Sequence, residues 1–173
     1  MLRDMDLINY SHVDCEPLKN IMRLPQKEAY ALAAELAAAH PDTTAFGRFA
    51  DFHNYYPRRL ETDRQLHAAF LALGGQPTEE HPLSFVLEGS DYLDGWFGHG
   101  LVTRIPLKHV PPEQVSFTLG DSMRADGFTL LSLDMLDKMM NDHPGGAEAC
   151  LAELREKYHY IEVQLWDDGV LLP

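Results

Sequence analysis

Positive charge is scarce in this chain. Lys and Arg number 14 against 27 Asp and Glu, a formal charge of −13 over 173 residues, and a surface of that sign repels nucleic acid at long range. Non-specific nucleic-acid binding is therefore not expected. Long apolar runs are missing too. No stretch approaches the roughly 20 residues of a membrane helix, and the opening Met1-Leu-Arg-Asp-Met-Asp6 lacks the apolar core of a secretion signal. The expectation is a cytoplasmic protein without membrane association. Cysteine is rare: Cys15 and Cys150 lie near opposite ends with no ligand spacing and read as free thiols. No dinucleotide fingerprint or phosphate loop occurs, which removes Rossmann and P-loop enzymes. There is no His-Glu-x-x-His or paired-cysteine motif. Asp63 and His67 stand one helical turn apart but make no ligand set alone, so no metal is expected. Gly89-Ser-Asp91 and Gly120-Asp-Ser122 lack nucleophile-elbow spacing.

What is present fits one domain over residues 1–173, long enough to bury about 70% of its unfolded surface without cross-links. Strands are predicted over 6–12, 81–87, 101–107, 115–119 and 159–166, with a short one near Phe128. Asp14 is predicted to cap a short helix carrying Leu18, Ile21 and Met22. An Ala-rich helix follows Pro25 and ends at His40-Pro41-Asp42. Pro57 is predicted to start a helix reaching Leu73, with Leu66, Phe70 and Leu73 on its stripe and Gly74-Gly75 stopping it. Ser90 and Ser132 are caps for two more helices, and Ala147 to Tyr158 is a third. Strands and helices without a regular βαβ repeat point to an α+β fold: a small mixed or antiparallel sheet of five to six strands with flanking helices.

Two segments carry candidate chemistry. Residues 46–60, Phe46-Gly-Arg-Phe-Ala-Asp-Phe-His-Asn-Tyr-Tyr-Pro-Arg-Arg-Leu60, concentrate aromatics and arginines in an otherwise acidic chain. Arginine holds a phosphate bidentately and Tyr stacks on a flat ring, so Arg48, Tyr55, Tyr56, Arg58 and Arg59 read as the wall of an anion pocket. A helix opened by Pro57 would add its N-terminal dipole beside Arg58 and Arg59. The competing reading pairs Arg58, Arg59 and Arg64 with Glu61 and Asp63 on a solvated helix face. The second segment is the last strand, where Ile161, Val163 and Leu165 point one way and Tyr160, Glu162, Gln164 and Trp166 the other. Glu162 there is either a carboxylate tuned for chemistry or part of the solvent face of an edge strand. His12, ending the first strand, either orients a ligand hydroxyl or is satisfied by local backbone.

Four pieces, in order, resemble the ADP-ribosyltransferase superfamily, most nearly its DarT-like DNA-modifying branch. They are Leu7-Ile-Asn-Tyr-Ser-His12 with Pro17-Leu-Lys-Asn-Ile-Met22, then Tyr55-Tyr-Pro-Arg-Arg59, then Ser116-Phe-Thr-Leu-Gly-Asp-Ser122, and finally Tyr160-Ile-Glu162-Val. The resemblance implies transfer of ADP-ribose from NAD. Glu162 would be the catalytic carboxylate, Arg58 or Arg48 the pyrophosphate ligand, His12 the contact to the adenosine-side ribose, and Tyr56 the stacking partner of nicotinamide. Beside it stands a reading with no chemistry. The net charge suits an acidic inhibitor or immunity-type partner of a basic protein, with Trp96, Phe97 and Trp166 as exposed anchors.

Overall fold

Strict alternation in Ile161-Glu-Val-Gln-Leu165 builds the strand around which the molecule is organised. In the computed structural model, which describes residues 1–172, it is the last of six strands: β1 (Asp6–Ser11), β2 (Leu83–Leu87), β3 (Leu101–Pro106), β4 (Val115–Leu119), β5 (Leu130–Ser132) and β6 (Ile161–Leu165). All neighbours pair antiparallel, in the order β3-β1-β2-β6-β4-β5. β6 therefore lies inside the sheet, between β2 and β4, and all five of its residues are buried. That position overturns the solvent-face, edge-strand reading of Glu162.

The helices are α1 (Gln26–Ala39), α2 (Gly47–Ala50), α3 (Phe52–Ala72), α4 (Asp91–Trp96), α5 (Leu133–Asp142) and α6 (Gly146–Tyr158). The α+β expectation holds, and no described helix is long and apolar enough to cross a membrane. Ser90 Oγ accepts from Leu93 N and Ser132 Oγ from Met135 N, each at 3.3 Å, so both serines cap as expected. The short strand is Leu130–Ser132, paired to β4.

Period-two geometry then sorts the sheet into two unlike faces. Phe85, Val163 and Phe117 stand side by side across β2, β6 and β4, as do Leu83, Leu165 and Val115. These residues merge with Leu133, Leu136 and Met140 of α5 and with Ala147, Cys150 and Leu151 of α6. Each Leu or Phe fully buried there contributes about 1.5–3 kcal/mol. On the opposite face the rows read Val86-Glu162-Thr118 and Ser84-Gln164-Ser116. Leu66 and Phe70 of α3 close over the end of this face, against Trp166 and Leu130.

Two local expectations are corrected. Asp14 caps no helix; Asn20 Oδ1 accepts from Met22 N at 2.9 Å and caps the short turn Ile21–Arg23. Pro57 does not open α3, which begins five residues earlier because Phe52, with Phe46 and Phe49, is buried against Ala29, Ala33 and Ala45. Pro57 is thus interior to the helix. Arg58 and Arg59 fall in its second turn, away from the free N–H groups of its N-terminus. The stop is as read: Gly74 takes φ +89°, a conformation open to glycine, and Gly75 N bonds back to Phe70 O. Leu73 leaves the stripe and is exposed.

Candidate functional site

A carboxylate on a central strand must be accompanied or it would not stay. Glu162 is 8% exposed. Its Oε2 accepts from the backbone N–H of Ser122 at 3.2 Å, and its Oε1 from the Gln164 amide at 3.0 Å. Strand pairing puts Gln164 between Ser116 and the hydroxyl of Thr118. Gln164 Nε2 donates to Thr118 Oγ1 at 3.1 Å, and Gln164 Oε1 accepts from Ser116 Oγ at 2.8 Å. Ser116 Oγ in turn accepts from the indole N–H of Trp166 at 2.8 Å. The alternation of β6 thus produces a buried row in which each polar group has a named partner.

The row continues into α3. Arg59 Nη1 donates to Ser122 Oγ at 3.2 Å and its Nε to Asp63 Oδ1 at 2.7 Å. The other oxygen of Asp63 accepts from His81 Nδ1 at 2.7 Å. Asp63 is 2% exposed, so the Arg59–Asp63 pair one turn apart is real but is not on a solvated face. Arg64 with Glu61 is the exposed pair. Burial favours loss of charge on Arg59, but Asp63 and then Glu162 outweigh it and hold the guanidinium's proton more tightly than usual. For Glu162, burial and the Asp121 charge raise the proton affinity. Arg59, the Gln164 amide and the Ser122 N–H pull it back, and the net direction is up. Burial, followed by Asp121 and Glu162, also pushes Tyr160 up.

Arg48 is the second unusual group. Its guanidinium carbon lies 4.9 Å from the Phe49 ring centre, 5.7 Å from Tyr55, 5.5 Å from Trp96 and 5.9 Å from Phe97. Stacking of this kind favours a cation, but it offers no acceptor, and the buried Nε of Arg48 has no hydrogen-bond partner. Arg48 is close enough to Tyr160 to oppose the rise in its proton affinity. The aromatic-arginine segment and the Glu162 strand therefore meet, through Arg59 by way of Ser122 and through Arg48 by way of Tyr160.

The other candidates are placed as follows. Arg58 is exposed and, with Arg124, Met123 and Phe128, lines a groove of about 480 Å3 that ends on Ser122, one hydrogen bond from Glu162. Tyr55 packs on Phe49 and Phe52 beneath Arg48, whereas Tyr56 packs on Tyr30 of α1 and on Phe52. His12 sits beyond the end of β1 beside His40 and Phe46. Trp96 and Phe97 are half-buried around Arg48 and Trp166 is fully buried, so the three are not the exposed anchor set expected for a docking partner. Cys15 and Cys150 are free thiols.

Sequence reasoning missed the burial of Asp63, and it missed His81, the bond from Ser122 to Glu162 and the Thr118–Ser116 pair, whereas Gln164 stands beside Glu162 on the same face, as expected. A signal existed for the first of these. Asp63, Leu66 and Phe70 share one helical stripe, and an acid on an apolar stripe needs a buried partner. His81 and Ser122 carry no such mark, since both lie in loops whose course only the tertiary structure fixes. No known protein family, curated protein or solved structure matches this chain at a significant level, so its function has to be read from the site itself.

Proposed function

We propose that this chain is an ADP-ribosyltransferase-like enzyme that takes NAD as substrate and uses Glu162 at the reacting ribose. One observation carries the reading: a nearly sealed carboxylate on a central strand, held by one backbone N–H and one amide, beside Arg59. A sheet built for stability alone gains nothing from an acid there, because an apolar residue of similar volume is commonly as stable or more so. Buried charge kept in a fixed, hydrogen-bonded orientation is what electrostatic catalysis requires.

In the reaction the glycosidic bond between ribose C1′ and nicotinamide breaks, and its electron pair leaves on the ring nitrogen. Positive charge develops at C1′. Glu162 accepts a hydrogen bond from a ribose hydroxyl, and its negative charge stabilises the oxocarbenium-like centre. The acceptor nucleophile then bonds to C1′ and gives up its proton. The cationic nicotinamide of bound NAD favours the ionised form of Glu162 that this role needs. The unpartnered Nε of Arg48 fits a pyrophosphate oxygen, and Arg58 and Arg124 line the groove that includes Ser122. Tyr55, beneath Arg48, is better disposed than Tyr56 to meet the nicotinamide or base. His12, at the end of β1, is left for the adenosine-side ribose.

Release of nicotinamide from NAD, measured by chromatography, tests the reading together with thermal melting. Millimolar NAD is expected to raise the melting temperature of the wild type by mass action. Glu162→Gln is expected to keep the fold and lose about 100-fold or more of the turnover. Absence of any NAD-dependent stabilisation at millimolar ligand overturns the proposal.

A further inference from the structure

The end of β1 and the end of α1 bring together three side chains that the site around Glu162 does not use as a group. His40 Nε2 lies 3.5 Å from Asp14 Oδ2, and His12 Nδ1 lies 4.0 Å from the same oxygen. The two imidazole centres are 4.3 Å apart, with the rings tilted by 51°. Among the described residues, one set of three such side chains places its ligand atoms all within 4.8 Å of one another, and it is this one.

The arrangement is held from behind. The buried Phe46 ring packs on both imidazoles, at 5.2 Å from His12 and 5.4 Å from His40. His12 and His40 side chains are 12% and 21% exposed, whereas Asp14 is 62% exposed. Two rings are thus fixed and one carboxylate is free to adjust. The backbone N–H of Asp14 points at His12 Nδ1 at 3.2 Å. An N–H donates only to a lone pair, so the unprotonated nitrogen of His12 faces Asp14, and a metal on Nδ1 takes that lone pair in place of the Asp14 N–H. His40 is the residue at the C-terminal cap of α1, where the helix dipole favours positive charge.

We propose that His12, Asp14 and His40 form a site for a divalent transition-metal ion of the zinc class. Ligands about 2.0–2.1 Å from a tetrahedral ion lie roughly 3.3 Å apart. The His40–Asp14 separation is close to that already, and a small rotation of the exposed Asp14 closes the His12 side. Two imidazoles and one carboxylate suit zinc, cobalt or nickel, whereas calcium and magnesium take oxygen ligands. Three protein ligands leave the solvent side open for water. With Nδ1 on the metal, His12 Nε2 carries the proton and remains a donor to a neighbouring acceptor or ligand hydroxyl. The sequence hides this site because its ligands come from a strand end and a helix end that no motif spacing joins. The proposal is independent of the NAD reading, although both use His12.

Cobalt(II) titrated into the EDTA-stripped full chain gives the direct test, followed by visible absorption, with zinc as competitor and magnesium as control. The expected result is a saturable one-to-one cobalt spectrum, displaced by zinc and not by magnesium. Asp14→Ala changes an exposed residue and leaves the fold intact, and it and His40→Ala are each expected to weaken cobalt binding by about tenfold or more. Glu162→Gln and His53→Ala, at an exposed histidine outside the cluster, are expected to bind as the wild type does. Lack of a cobalt spectrum at stoichiometric metal overturns the proposal, as does a spectrum that Asp14→Ala and His40→Ala leave unchanged. Neither outcome depends on whether NAD is turned over.

Discussion

On the α5–α6 side of the sheet, Phe85, Val163 and Phe117 meet Leu136 and Met140, and no polar group has to be accounted for. On the α3 side, one residue along the same strands, Glu162, Gln164, Thr118 and Ser116 are buried too, and every one needs a partner at a set distance. The first face is held by non-directional contacts that tolerate exchange of one apolar side chain for another of similar volume. The second gains little net stability from its hydrogen bonds, since the unfolded chain makes equivalent bonds to water. What the second face gains is position: a carboxylate whose orientation is fixed before any ligand arrives.

This comparison can be broken most directly at Arg59. Replacing it by Met leaves Asp63 and Glu162 without their shared cation, and a loss of about 3–5 kcal/mol is expected in urea unfolding at pH 7. The loss should shrink in part when Glu162→Gln is added, because one of the two orphaned charges is then gone while Asp63 keeps its own. An unchanged loss in that background would mean that Arg59 acts through Asp63 and not through Glu162. Leu136→Ala on the other face removes only apolar contact, at a cost of about 3 kcal/mol. Combined with Glu162→Gln it should add to within about 0.5 kcal/mol, since the two sites share no partner across the sheet.

The apolar face was legible before the structure because period two is written into Ile161-Glu-Val-Gln-Leu165 and repeated in Leu83-Ser-Phe. The caps at Ser90 and Ser132 were legible for a similar reason: a cap is a local bond, made within three residues. The polar face was not, because alternation says which residues share a side and not whether that side meets water. That depends on β6 lying between β2 and β4, a fact set by contacts far apart in sequence. Pro57 misled for a related reason. Its local preference for a helix start was overridden by the burial of Phe52, which extended α3 backwards. The choice among Arg48, Arg58 and Arg59 was likewise beyond local rules, since their different surroundings come from α4, the 120–122 loop and β6.

The two faces should also differ in their response to pH. Glu162 in the folded chain holds its proton above the ordinary value of 4.5, so the folded state binds more protons than the unfolded one between 4.5 and its own pKa. Stability contributed by this group is then fully present below pH 4.5 and is lost as pH rises through the folded-state pKa. Glu162→Gln titrates nowhere. Its stability relative to the wild type should therefore increase with pH across that window, by up to about 1.4 kcal/mol per unit. Leu136→Ala should show a constant difference from the wild type over the same range. A Glu162→Gln curve parallel to the wild type would mean that the carboxylate is already fully compensated by Arg59 and its hydrogen bonds.

The smallest effects separate structure from function most cleanly. Ser132 caps α5, over the apolar face, and Ser90 caps α4, whose Trp96 stacks near Arg48. The two capping bonds have the same length, so Ser132→Ala and Ser90→Ala should each lower stability by about 1 kcal/mol. Only one of them caps a helix that packs on Arg48. α4 has six residues and no buried side chain of its own, so loss of its cap loosens the aromatic setting of Arg48 as well as the helix. Ser90→Ala is therefore expected to raise KM for NAD with kcat nearly unchanged, and Ser132→Ala to alter neither. Equal KM values in the two variants would show that α4 takes no part in binding and that Arg48 is caged for packing alone.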